Sequence, residues 1–165
     1  MSYQVTRTIT RILSGSAVLI IYLFHVNSRY QAGLLAVDQL EAWAQIMLIF
    51  IGIAIAVAIV VEIVFHILFS IGVAVKESIK GVPYNEKDIE KTINLEMLED
   101  EMAKLIDLKS MRVGYITTVI GFIASLIFLV LNYPVFITVN ILFVSFFTAG
   151  IIEGIARLYY YKRGI

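Results

Sequence analysis

From Ala44 to Val75 the chain is apolar almost without interruption, and Glu62 and His66 are the ionisable side chains in that run. No other feature constrains the fold as strongly. A bilayer's hydrocarbon core of about 30 Å takes roughly 20 apolar residues as helix, and lipid offers no partner for unpaired backbone groups. The run is therefore expected to be a membrane-crossing helix. Three more runs qualify: Ile12 to about Val26, Val113 to Leu131, and Val135 to about Tyr159. The first is short, so a tilt-free helix or a locally thinned bilayer is expected there. Composition agrees, because 60% hydrophobic against 16% charged residues, with a mean hydropathy of +0.90, is far from the usual soluble mix. The expected fold class is all-α: an integral membrane four-helix bundle forming a single membrane domain over residues 1–165.

Charge placement predicts the threading. Arg7, Arg11, seven basic residues from Lys76 to Arg112, Arg157, Lys162 and Arg163 fall on one side of the spans, against Arg29 on the other. That asymmetry follows the positive-inside rule and predicts cytoplasmic termini, N-in and C-in, in the cell membrane. Trp43, Tyr133 and Tyr159 to Tyr161 fall near the expected interfaces, as aromatic belts do. The chain has no cysteine, which excludes disulfides, thiolate metal sites and cysteine nucleophiles. Thirteen basic residues balance thirteen acidic ones, so nothing in the net charge points to nucleic acid as a partner. The apolar run after Arg11 resembles a signal peptide, but the following Leu23 to Tyr30 has no small-residue cleavage site, so an uncleaved span is expected.

The second helix should be long. Asp38 to Glu41 can form a capping box, and no breaker follows until Lys80-Gly81-Val82-Pro83. Beyond it, Leu95, Leu98, Met102, Leu105 and Ile106 form a helical stripe on a charged segment. Residues 76–112 carry nine acidic and seven basic side chains, which argues against attraction to anionic lipid along that segment. A helical stalk running into the third span and packing beside helix two is expected instead. The lipid bilayer is one partner; a homo-oligomer or a protein docked through residues 76–112 is the other.

Ionisable groups inside spans are rare because each costs at least about 2.5 kcal/mol at a helix centre. Glu62 with His66, and Glu153 with Arg157, are each spaced i, i+4 and so share a helix face. Counted inward from Lys162 and Lys76, Glu153 lies about 13 Å deep and His66 about 15 Å, which makes a joint polar cluster between helices two and four an expectation. Two uses are open. A proton or cation relay needs titratable groups in low dielectric. Structural pairing needs only that a carboxylate meet Arg157 while His66 hydrogen-bonds within the bundle. A di-metal site would need Glu and His three apart on two helices, and haem needs an interior axial ligand, whereas His25 sits beside Asn27, Ser28 and Arg29. No metal and no cofactor is therefore expected.

Packing signals are clearer. Gly150 with Gly154, Gly52 with Ala56, and Gly121 with Ser125 have the small-x-x-x-small spacing that lets helix backbones approach closely. Asn140 and Thr138 are candidates for hydrogen bonds between helices. There is no Walker loop, dinucleotide fingerprint or Gly-x-Ser-x-Gly, so an enzyme is not expected. Inverted repeats are also missing.

The stretch Asp100 to Ile116 resembles a segment of small uncharacterised bacterial four-span membrane proteins, through Lys104, Leu105, Ile106, Leu108, Lys109, Ser110, Arg112 and Tyr115. The resemblance implies a bacterial inner-membrane location and small regulatory proteins as partners. It implies no biochemical activity. The function expected is a non-enzymatic membrane module of regulatory or accessory type; the alternative is a small proton- or cation-coupled transporter or channel.

Overall fold

A computed structural model describes the backbone of residues 3–80 and 86–164, and the side chains of 4–65, 67–68 and 101–164. The described residues form four helices: α1 (Tyr3–Gln31), α2 (Leu40–Lys80), α3 (Glu86–Val130) and α4 (Val135–Arg163). Each contains a stretch long and apolar enough to cross a membrane: Gln4–Gln31, Leu40–Phe65, Glu101–Val130 and Val135–Arg163. At 1.5 Å per residue, α2 and α3 are about 62 and 68 Å long, well beyond a bilayer's apolar thickness.

Helix α1 is longer than the short run from Ile12 suggested. In its polar first turns Thr8 and Thr10 donate their hydroxyls to the carbonyls of Gln4 and Thr6, at 2.8 and 3.0 Å, so these hydroxyls are satisfied within the helix. Two arginines in those turns find a carboxylate on α2, described below. Gly33 ends the helix with φ 69°, where Leu34 N–H donates to Arg29 and Gly33 N–H to Tyr30. This is a Schellman cap, and Asn132 repeats it after α3 with φ 61°, through Tyr133 N–H to Phe128 and Asn132 N–H to Leu129. Pro134 follows as the N-cap of α4, so the expected turn at 132–134 is as tight as three residues allow. Gly33→Val should cost about 1–2 kcal/mol, from the left-handed strain a β-branched residue suffers; a thermal melt checks it.

The helices lie in the spatial order α2, α1, α4, α3. The largest interface joins α3 to α4, α1 packs on α4, and α2 packs on α1 and meets α4 where Trp43 stacks on Phe136, ring centroids 4.9 Å apart. Among the described residues α3 touches neither α1 nor α2. The bundle is open on that side. Of the stripe expected to dock beside helix two, Leu95 and Leu98 have side chains outside the described residues, while Met102 and Leu105 are exposed and Ile106 is buried, on a helix that packs on α4; α3 itself is continuous from Glu86 into its span.

The core is an aromatic layer where α1, α2 and α4 converge. Tyr22 is fully buried, edge-on to Phe50 at 5.2 Å and against Phe143 at 4.3 Å. Its hydroxyl donates to Asn140 Oδ1 at 2.6 Å, and Asn140 Nδ2 donates to the Phe136 carbonyl at 2.7 Å. Trp43 is buried rather than lying out in a belt, and its ring N–H donates to the Ala36 carbonyl at 3.0 Å, which pins the α1–α2 link. Tyr22→Phe should lower stability by about 1 kcal/mol, since Asn140 loses its donor while the ring packing is retained; a melt in one fixed detergent checks it.

The α3–α4 seam is built from small residues. Ser110, Gly114, Gly121 and Ser125 recur along one face of α3, and both serines are buried with their hydroxyls returned to their own helix at 2.7 Å. A Cβ on Gly121 would overlap the Ser145 side chain of α4. One on Gly114 would sit 3.1 Å from the Glu153 carboxylate. On the other side of α4, a Cβ on Gly154 would come within 2.5 Å of Ile12 on α1. Gly52 and Gly150 are different: a Cβ on either meets nothing within 4 Å.

Candidate functional site

Among the described residues, six ionisable side chains of the spans form two groups. In the first, Glu62 on α2 faces α1, where Arg7 pairs with its Oε1 and Arg11 donates to its Oε2 through a terminal nitrogen at 3.0 Å and Nε at 3.3 Å. Arg7 and Arg11 are spaced i, i+4, so one face of α1 brings both guanidiniums to one carboxylate. In the second, Arg157 on α4 reaches Glu153 one turn earlier at 3.0 Å, and its Nε meets Asp107 of α3 at 3.1 Å. Arg157 is the most enclosed of the six, its side chain 14% exposed. It braces α3 against α4 at the end of the seam where Gly114 makes room for Glu153.

The joint cluster expected between helices two and four therefore takes another form. Glu62 is met by Arg7 and Arg11 and not by Arg157, because α1 stands between α2 and most of α4. Glu153 and Arg157 do pair with each other. The His66 side chain lies outside the described residues. His25 packs its ring 5.7 Å from that of Phe50. Among the described residues no group of three or more His, Cys, Asp or Glu is placed to hold a metal ion.

Three residues of these groups were not singled out by the sequence reading. Arg7 and Arg11 served there only as markers of sidedness, and Asp107 only as one charge in a charged segment. The i, i+4 spacing of the two arginines, matched to that of Glu62 and His66, was the available signal. For Asp107 the signal was weaker: it precedes the third span by two turns, as Arg157 precedes Lys162 by more than one.

Among the described residues two cavities border these groups, and another lies apart from them. One of about 570 Å³ lies over α4 between α1 and α3, lined by apolar residues such as Leu23, Ile120, Ile137 and Ile141, with Asn140 in its wall and no charged residue. A second, about 360 Å³, lies between α1 and α4 and is bordered by Arg11, Gly150, Glu153 and Arg157. The third, about 450 Å³, lies between α1 and α2 and is bordered by Arg11 and Glu62. Arg11 lines both of the charged ones. Comparison with protein-family models, with curated proteins and with solved structures returned no match.

Proposed function

We propose that this chain is a non-enzymatic membrane module of regulatory or accessory type, which works by associating with a second copy or with a protein partner. What supports the reading is the open helix order: α2 and α3 stand at opposite edges and each leaves most of its span uncovered. In the most apolar window of Leu40–Phe65 only 6% of residues are buried inside the molecule, against 22% for Gln4–Gln31. Gly52, with open space where a Cβ would go, lies on that uncovered helix and lets another helix backbone approach. The charge asymmetry supports a cytoplasmic side for both termini and residues 76–112, where a soluble regulatory partner would meet the charged part of α3.

The ion pairs favour this over transport. A relay needs groups that gain and lose protons or ligands in turn. Here the carboxylate of Glu62 is already matched by two guanidiniums, and Arg157 by two carboxylates. Glu62→Gln is therefore expected to leave proton flux in reconstituted vesicles unchanged while lowering stability by about 1 kcal/mol, because the pairs are partly exposed. Lost flux would restore the relay.

Association is read directly from mass and cross-linking. Because the chain has no cysteine, a single Gly52→Cys variant reports contacts of α2 alone. An oxidised dimer in native membranes, and a mass above one chain in mild detergent, are expected for self-association. If the chain is monomeric by both measures, the partner must be another protein, and deletion of Glu86 to Lys104 should then abolish its capture. Retained capture after that deletion refutes the role of residues 76–112, and a monomeric chain that captures no protein overturns the proposal.

A further inference from the structure

The cavity between α1 and α2 has a chemical polarity of its own. Val18, Ala54, Val57 and Ala58 line its apolar part, while Arg11, Ser14 and Glu62 stand at the end nearest the start of α1. From Arg11 to Val18 the groove runs about 10 Å along the helix. It is open space and not a packed seam, since a Cβ on Gly15, in its wall, would meet nothing within 4 Å.

Charge marks the mouth of this groove. Among the described residues two guanidiniums meet one carboxylate at its mouth, a surplus of one positive charge, and the Arg11 side chain is 47% exposed. At the α1–α4 cavity, bordered by Arg11, Glu153 and Arg157, the Arg157 guanidinium is already shared between Glu153 and Asp107. The cavity of about 570 Å³ has no charged residue in its wall. An apolar slot ending at a cationic, partly exposed arginine pair is matched to an amphiphile with an anionic head.

We propose that the α1–α2 groove holds one acyl chain of an anionic phospholipid whose phosphate sits on Arg11 and Arg7. Guanidinium groups bind phosphate oxygens through paired N–H donors, and surrounding hydrocarbon strengthens that bond relative to water. Glu62 competes for the same donors, so it sets how tightly the lipid is held. The site requires the spans to lie in a bilayer; it does not depend on self-association or on a protein partner.

The test is native mass spectrometry of the full chain released from detergent, titrated with phosphatidylglycerol or with phosphatidylcholine carrying the same acyl chains. One saturable phosphatidylglycerol adduct is expected, retained about tenfold better than phosphatidylcholine, the size of one charge-assisted hydrogen bond. Arg11→Gln should bring retention down to the phosphatidylcholine level, and Glu62→Gln should raise it. Ala58→Phe, which fills the groove and leaves every charge in place, should also remove the adduct. Where Arg11→Gln fails to fold, Ala58→Phe and Glu62→Gln carry the decision. Equal retention of the two lipids, or a phosphatidylglycerol adduct indifferent to both Ala58→Phe and Glu62→Gln, overturns the proposal. Displacement by water-soluble glycerol phosphate also overturns it, because the bound group would then be phosphate alone.

Discussion

Replacing Gly121 by leucine is expected to part α3 from α4 and to leave little folded protein in mild detergent. The added Cβ would occupy the place of the Ser145 side chain, and the rest of the leucine would be driven into the α4 backbone. Overpacked cores usually lose about 1–3 kcal/mol by shifting neighbours, and the cost rises where neighbours cannot shift. Here Ser145 is held by its own hydrogen bond to the Ile141 carbonyl at 2.6 Å, and α3 has α4 as its one helical neighbour among the described residues. A loss of about 3 kcal/mol or more is expected, read as a fall in the detergent melting temperature and a broadened gel-filtration peak. Gly52→Leu is the matched control. It meets open space and improves helix propensity, so it should leave the melt unchanged or slightly raised. A melt unaffected by Gly121→Leu would mean that the two helices are not in contact there.

Removing the charge of Arg157 is the second large effect. Arg157→Leu leaves Glu153 and Asp107 facing one another across the α3–α4 seam with no cation between them. Breaking a buried pair by deleting one partner typically costs about 3–5 kcal/mol, and the half-exposed Asp107 brings the expectation to the lower end of that range. The discriminating measurement is rescue. Adding Glu153→Gln and Asp107→Asn to Arg157→Leu should recover at least half of the loss, since the repelling charges are gone. If the triple variant is no more stable than Arg157→Leu alone, the arginine's contribution is its packing and not its charge.

Much of the architecture was legible in the residues, and the physics explains which parts. Backbone groups in lipid must pair within their own segment, so long apolar runs can be read as helices without knowing what they touch. The turn at Asn132 to Pro134 was equally plain, because a helix stop before proline is local chemistry. Order in space was not legible. An apolar face in a membrane has no wet side to avoid, so hydrophobic periodicity does not say which helix a face will meet. That is why depth alone could set His66 beside Glu153, while Arg7 and Arg11, which stand against Glu62, read only as markers of sidedness. The small residues tell the same story: Gly121 and Gly154 sit at close approaches, Gly52 and Gly150 at open space, and the four have the same spacing signature. Ser110 and Gly114, which complete the α3 face, lie in a stretch whose charges drew attention away from them.

The order α2, α1, α4, α3 has a consequence for how the chain is made. Its two halves are each an antiparallel hairpin, α1 with α2 and α3 with α4, and each closes on itself through its own ion pairs. The membrane can therefore receive two units that mature separately. What joins them is one seam, Ile12 on Gly154 and the aromatic layer from Tyr22 to Phe143. Fragments 1–80 and 86–165, expressed together, have all they need to find each other across it. In the intact protein the same seam is the natural axis on which one hairpin can rock against the other.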